Sequence, residues 1–417
     1  MAEDAVLNPL LRALMEALHN GDRDALPTFW REVAAVGTPL WAPAPGEPGK
    51  GIATFLWRGG DEVSNVGVVS ALARWRVPTD TMRQLPGTDV WRLSYTVPAD
   101  VRTRYKLAPN ENRAPLAEGE SEEDRASGGQ RDPLSQRTFT YAGHEGGLTD
   151  TWSVLEGPDA PPQPWLAAQP GTPTGSLREV TMASQALGEE RRLWVYTPPG
   201  YGVESGPHDL LVFADGSLLI GALAATTTLD TLQAAGRLAP LVAVFLDTDR
   251  QRMRDLDCSP LFNDFLVGEL LPWMRRHYPA VTHDPRRTLI GGLSLGGNAA
   301  VFAALRHPEV FGNVLACSGA FWRASADSRE HEWLARQVAA GPGGATRFYL
   351  EVGSLELWPT PDDGPSLLLA NRHLRTVLRA KGYTVCYREF CGGHEPVCWR
   401  GGLADGLMAL LGPAAAP

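Results

Sequence analysis

Positive charge is scarce in this 417-residue chain. Lys and Arg number 38 against 48 Asp and Glu, a net charge of -10. Proteins that hold nucleic-acid backbones non-specifically carry the opposite balance, so that class of partner is not expected. Long hydrophobic runs are missing too. Nothing approaches the roughly 18 consecutive apolar residues of a membrane span, and no membrane partner is expected. Cysteine is sparse: Cys258, Cys317, Cys386, Cys391 and Cys398 make five, an odd number, with no C-x-x-C pair among them. That excludes a disulfide framework and a zinc ribbon and fits a reducing compartment. The start, Met1-Ala2-Glu3-Asp4, is acidic and without the basic, apolar character of a signal peptide, which makes the cytoplasm the expected location.

Against these absences stands an ordinary globular composition, 43% hydrophobic and 21% charged, at a length that suggests two domains. Leu7, Leu10, Leu11, Leu14 and Leu18 recur at helical spacing, Asn20-Gly21 breaks the run, and a second helix follows from Leu26-Pro27. Short strand-like segments come next, at 52–57, 66–69 and 90–97, with turn residues between them, and imply a small β-sandwich. Residues 118–132 are polar and acidic-rich and read as a loop. A proline-rich stretch, 157–175, reads as a linker between a domain over 1–156 and another over 176–417. From there apolar strands at 191–197, 209–214, 241–246, from 288, and at 314–316, 347–352 and 384–390 alternate with helical stretches. One of these, 261–278, is interrupted by Pro272, and the last runs over 403–411. The alternation implies a mostly parallel sheet flanked by helices, an α/β fold.

Chemistry concentrates where the strand at Thr288 runs into Gly291-Gly292-Leu293-Ser294-Leu295-Gly296-Gly297-Asn298 and then an alanine-rich helix. Strand, G-x-S-x-G, helix is the signature of a nucleophile elbow, in which a serine stands on a turn too cramped for neighbouring Cβ atoms. The helix that follows points its positive end at the serine, so the N–H of Leu295 is the expected first oxyanion donor. A serine hydroxyl needs a base. Of nine histidines, His394 alone lies just past the final strand, in Cys391-Gly392-Gly393-His394-Glu395, where that base belongs. His277, His283, His307 and His373 read as surface or helix-end residues. The acid is less determined: Glu356 follows the strand at 347–352, Asp362 and Asp363 lie further along the same loop, and a Ser–His dyad also works. Gly216, in Asp215-Gly216 after the strand at 209–214, is the candidate second oxyanion donor through its backbone N–H.

With those parts placed, the chain resembles the enterochelin (ferric enterobactin) esterase family over nearly its whole length. The resemblance rests on Phe29-Trp30-Arg31-Glu32-Val33, Thr54-Phe55-Leu56-Trp57-Arg58, Pro86-Gly87-Thr88-Asp89-Val90-Trp91 and Asp132-Pro133-Leu134 in the first half. In the second half it rests on Asp215-Gly216, Arg252 with Asp255-Leu256-Asp257-Cys258, Ser318-Gly319 with Trp322, and Gly392-Gly393-His394-Glu395 through Cys398-Trp399-Arg400-Gly401-Gly402-Leu403. It implies an α/β hydrolase preceded by a smaller N-terminal β-sandwich. The implied activity is hydrolysis of the ester bonds of a cyclic catecholate tri-ester siderophore, with Ser294 and His394 as the catalytic pair. No cofactor is expected, since iron arrives within the substrate. The expected state is a monomer or weak oligomer.

A ferric tris-catecholate is an aromatic trianion, so a chain of this net charge must gather cations locally. Arg252 and Arg254 follow the strand at 241–246, and Trp322 with Arg323 follows the strand at 314–316. Arginine can pair with catecholate oxygens and stack on a ring, which makes Arg252, Arg254 and Trp322 the expected substrate contacts. The alternatives are a feruloyl or acetyl esterase, an acyl-peptide hydrolase, or a non-catalytic binding protein on the same scaffold. The intact serine, glycines and histidine argue against the last.

Overall fold

The computed structural model describes residues 8–73, 81–111, 129–141, 149–248, 251–324, 330–358, 360 and 363–413. The polar stretch 118–128 and Asp362 lie outside them. The contacts divide the chain into two compact units: 1–161 together with 391–397, and 162–390 together with 398–417. The boundary at Pro161 falls inside the proline-rich stretch. The excursion of seven residues near the C-terminus was not foreseen from sequence.

The first unit begins with helices Pro9–His19 and Ala25–Val36. The first is capped by Asn8, whose side chain accepts from the Leu10 N–H, with Pro9 at the first helical turn where its missing N–H costs nothing. Two four-stranded sheets follow. One holds β1 (Leu40–Pro43), β2 (Lys50–Arg58), β4 (Arg83–Gln84) and β5 (Val90–Pro98) in the order β1-β2-β5-β4. The other holds β3 (Val66–Ser70), β6 (Arg102–Pro109), β7 (Thr138–Tyr141) and β8 (Asp150–Glu156) in the order β3-β6-β8-β7. All their pairings are antiparallel. Ala53, Phe55, Val66, Val68, Val97, Val101, Tyr105, Leu107 and Leu155 share one core. Strand β6 escaped the sequence reading because its alternation is cationic: Arg102, Arg104 and Lys106 stand on the face opposite Val101, Tyr105 and Leu107, and all three are buried.

The second unit is an eight-stranded sheet in the order β16-β15-β14-β13-β11-β12-β10-β9. Its strands are β9 (Ser176–Ser184), β10 (Glu189–Thr197), β11 (Asp209–Phe213), β12 (Leu241–Leu246), β13 (Thr288–Leu293), β14 (Asn313–Cys317), β15 (Arg347–Gly353) and β16 (Thr384–Phe390). From β12 to β16 the pairings are parallel, while β9 and β10 are antiparallel additions. β11, β12, β13 and β14 are buried along their whole length, as strands covered on both faces must be. The stretch read as one helix with a break at Pro272 instead widens earlier, into a π-type turn at Phe265–Leu270, and Pro272 opens the regular helix Leu271–His277. A wider turn makes room for proline, which donates no backbone hydrogen bond and whose ring would clash with the carbonyl four residues back. The closing helix is Pro396–Leu411, seven residues longer at its start than its periodicity suggested, because Gly401 and Gly402 dilute the pattern.

Candidate active site

Three neighbouring strands end in strained loops. Ser294 after β13 has φ 55° and ψ -116°, Asp215 after β11 has φ 56°, and Ser318 just past β14 has φ 49°. Positive φ on a non-glycine residue costs about 1–3 kcal/mol and persists where the surroundings over-determine it. For Ser294 those surroundings are explicit. Its N–H donates to Cys317 O at 2.9 Å, and its carbonyl accepts from Ala320 N at 2.9 Å and Asn298 N at 3.2 Å. A Cβ on Gly292 would lie 2.3 Å from the backbone carbon of Gly296, so strand and helix can close on the serine only with glycine there. The helix Leu295–Arg306 starts at the next residue and brings the Leu295 N–H to the turn. Ser294 remains partly accessible while its neighbours are buried.

Beside the elbow lies the loop Ala214–Gly216. Gly216 opens a short helix, Gly216–Gly221, and a Cβ there would sit 2.9 Å from the backbone of Phe245. Asp215 is buried and held from two sides. Thr248 Oγ1 donates to its Oδ1 at 2.9 Å, and Arg252 grips both carboxylate oxygens, Nε to Oδ1 at 2.8 Å and Nη2 to Oδ2 at 2.9 Å. The same Nη2 reaches the carbonyl of Leu293 at 3.2 Å. Arg252 therefore ties the Gly216 loop to the residue before the serine. Arg254 is also engaged, with Asp255 at 2.9 Å and Glu189 at 2.6 Å, and Glu189 as partner raises its pKa. Both arginines sit on a short helix, Arg252–Leu256, rather than in the open loop the sequence suggested. Trp322 packs against the core beneath the Arg323 guanidinium, 5.3 Å from the ring centre, while Arg323 forks onto Asp257 at 2.7 Å.

Glu356 is fully buried beyond the end of β15. Its Oε1 accepts from Ser318 Oγ at 2.5 Å and from Gly353 N at 2.8 Å, and Ser318 Oγ in turn accepts from Trp399 Nε1 at 2.9 Å. The stretch Cys317–Ala320 thus touches the elbow serine at both backbone ends and the acidic side chain of the next loop. Asp363, the other acid of that loop described, has φ 56° in a turn. Ser318 and Trp399 carried no local signal of this role, since Trp399 lies 81 residues from the hydroxyl it bonds.

His394 belongs to the segment 391–397, which groups with the N-terminal unit, and its side chain is partly accessible. The segment follows β16 directly and runs into the last helix. His277 and His373, read as surface or helix-end residues, have a backbone carbonyl and a glutamate as partners. Burial pushes the Cys258 thiol up to about 12 and also raises Cys317, so neither is an activated thiolate.

The comparisons with known proteins agree on one family. Residues 184–410 match the putative esterase family, more than half of the chain, and residues 52–166 match the enterochelin esterase N-terminal domain. The chain is 31% identical to the iron(III) enterobactin esterase of Dickeya dadantii, over 92% of each chain. Among solved structures, ferric enterobactin esterase from Salmonella typhimurium is 29% identical, with a TM-score of 0.76 over 92% of this chain and 98% of that one. The enterobactin esterase of Shigella flexneri, crystallised in the presence of enterobactin, is 27% identical with a TM-score of 0.70 over 92% and 97%. A matched esterase domain, a matched N-terminal domain and near-complete coverage leave one conclusion: this chain belongs to the enterochelin esterase family and is a carboxylic ester hydrolase.

Proposed function

We propose that this esterase hydrolyses the ester bonds of a ferric catecholate tri-ester siderophore of the enterobactin type, opening the chelator so that its iron can be released. The observation that carries the chemistry is the strained backbone of Ser294, pinned at N–H and carbonyl by Cys317–Ala320. The substrate class rests on what the family relatives are named for acting on.

In this reading Ser294 Oγ attacks the ester carbonyl while His394 takes its proton. The N–H groups of Leu295 and Gly216 receive the tetrahedral oxyanion, Leu295 with the added field of its helix. His394 then returns the proton to the departing alkoxide, which leaves as a free hydroxyl. Water, deprotonated by the same imidazole, cleaves the acyl-enzyme to the carboxylate. Glu356 orients the imidazole. Its support is a carboxylate whose Oε1 is fixed by two donors and so cannot swing. Arg252, Arg254 and Trp322 remain the candidates for contact with the catecholates, supported by the need for local cations in a chain of net charge -10 and by the partial exposure of both guanidinium side chains.

Iron is cargo here, entering and leaving with the ligand. The reading places the reaction in the cytoplasm, where free thiols such as the five of this chain persist, and no described helix is long and apolar enough to cross a membrane. The test is turnover of ferric enterobactin by the purified protein, followed by chromatography of the linear products. Ser294→Ala is expected to lower kcat by at least about 10⁴-fold with the fold unchanged by circular dichroism. Undiminished turnover by that variant would remove the serine from the mechanism. Fractionation of cells tests the location.

A further inference from the structure

The segment that carries His394 is built onto an edge of the N-terminal sheet. Strand β3 pairs with β6 only from Ser70, opposite Tyr105, to Val66, opposite Pro109. β6 starts three residues earlier, at Arg102, and along Arg102–Arg104 that edge has no β3 to bond. Buried backbone N–H groups need partners. The 391–397 segment supplies them: the Arg102 N–H donates to Cys391 O at 2.8 Å, and the Arg104 N–H donates to Glu395 Oε2 at 2.6 Å. Thr103 Oγ1 donates to the other carboxylate oxygen at 2.6 Å. His394 lies between these anchors, next in sequence to the second.

Charge makes the second anchor specific. Arg102, Arg104 and Lys106 share one buried face of β6. Each has its own carboxylate: Glu156 at 2.9 Å from Arg102, Asp150 at 2.8 Å from Lys106, and Glu395 at 3.9 Å from Arg104. Trp152 lies between the last two cations, its ring centre 4.1 Å from the Arg104 guanidinium and 4.6 Å from the Lys106 ammonium. A carboxylate at 395 is thus required twice, as acceptor for two short bonds and as counter-charge for a buried arginine. A glutamine could accept only one of those bonds and would carry no charge.

We infer that Glu395 is a positioning residue for the reaction: held by Thr103 and Arg104, it fixes the backbone on which His394 presents its imidazole. The N-terminal sheet thereby sets the backbone from which the base is presented. This rests on His394 being the general base, as proposed above. A base displaced by about 1 Å costs up to about 10²-fold in rate.

The test is steady-state kinetics on the full-length protein with ferric enterobactin and, separately, p-nitrophenyl butyrate. Glu395→Gln and Thr103→Val are expected to lower kcat by about 10- to 100-fold on both esters, with KM within about twofold of the parent. The acidic limb of the kcat/KM profile against pH should move, since the imidazole then sits in an altered environment. Thr103→Ser, which keeps the hydroxyl, should restore kcat. A thermal midpoint is recorded for each variant. Loss of thermal midpoint with kcat per folded molecule and pH profile unchanged would make Glu395 a structural residue and overturn the inference, as would full activity of both variants. If Glu395→Gln fails to fold, the Thr103 pair decides alone. His394→Ala separates the two levels: an active His394→Ala sinks the assignment of the base, whereas an inactive His394→Ala beside fully active Thr103→Val and Glu395→Gln sinks only the positioning role.

Discussion

Two glutamates, one in each unit, are held in nearly the same way. Glu356 accepts a serine hydroxyl and a backbone N–H, Glu395 a threonine hydroxyl and a backbone N–H, and both side chains are fully buried. The difference lies in where the donors come from. Glu356 is fixed by Gly353, the last residue of the strand before it, and by Ser318, just past the end of the neighbouring strand of the same parallel sheet. Glu395 is fixed by a strand 291 and 292 residues earlier in the chain. Repetition of strand and helix builds one of them; an excursion of the chain into another unit builds the other. A short bond to a carboxylate is a strong one, and losing a partner leaves a buried acceptor exposed to its full desolvation penalty. Both glutamates should therefore be sensitive, but only Glu356 is proposed to act directly beside the base.

The largest effect is expected at that point. Glu356→Gln should lower kcat about 10³-fold or more on any ester, because an orienting carboxylate becomes an amide; the comparison with Glu395→Gln, at least tenfold milder, is read in one set of rate measurements. Equal losses in the two variants would break the distinction between an acid beside the base and a residue acting through the backbone.

Asp215 extends the series, as a buried carboxylate held by an arginine fork and Thr248. Arg252→Ala should cost up to about 10²-fold in kcat, since an unpaired buried Asp215 loosens the Gly216 loop. Loss shared by ferric siderophore and p-nitrophenyl butyrate would mark a positioning arginine. A larger loss on the siderophore would add a ligand contact.

Trp399→Phe takes the indole N–H from Ser318 and leaves that hydroxyl's bond to Glu356 in place. A fall in kcat of about tenfold, with KM unchanged, is expected from that weakening of the chain of bonds, measured on the aryl ester.

The last effect concerns stability alone. Glu351 is buried but poorly supplied, with the Tyr349 hydroxyl at 3.1 Å and the Cys317 thiol beside it, and burial pushes its pKa up to about 7. The folded protein then holds a proton that the unfolded chain has released. The associated stability is full below the usual glutamate range, near pH 4.5, and is lost as pH rises to about 7. Denaturant titrations should find the parent losing up to about 3 kcal/mol across that interval relative to Glu351→Gln. Parallel curves for the two proteins would show that this carboxylate is better satisfied than its neighbours imply.

The sequence by itself determined the cramped turn at Ser294 and the sheet around it. Glycines at 292 and 296, an apolar strand before them and an alanine-rich helix after them are local requirements of a cramped turn, and local requirements are written in adjacent residues. The placing of Glu356 and His394 just past strand ends was legible for the same reason. Tertiary structure alone decided how those side chains are held. It put Arg252 onto Asp215, Trp399 onto Ser318 and Glu395 onto Thr103 and Arg104, pairings 37, 81 and about 290 residues apart. It also buried a cationic strand, Arg102–Pro109. A carboxylate selects its donors by position and burial, and neither is set by its neighbours in the chain.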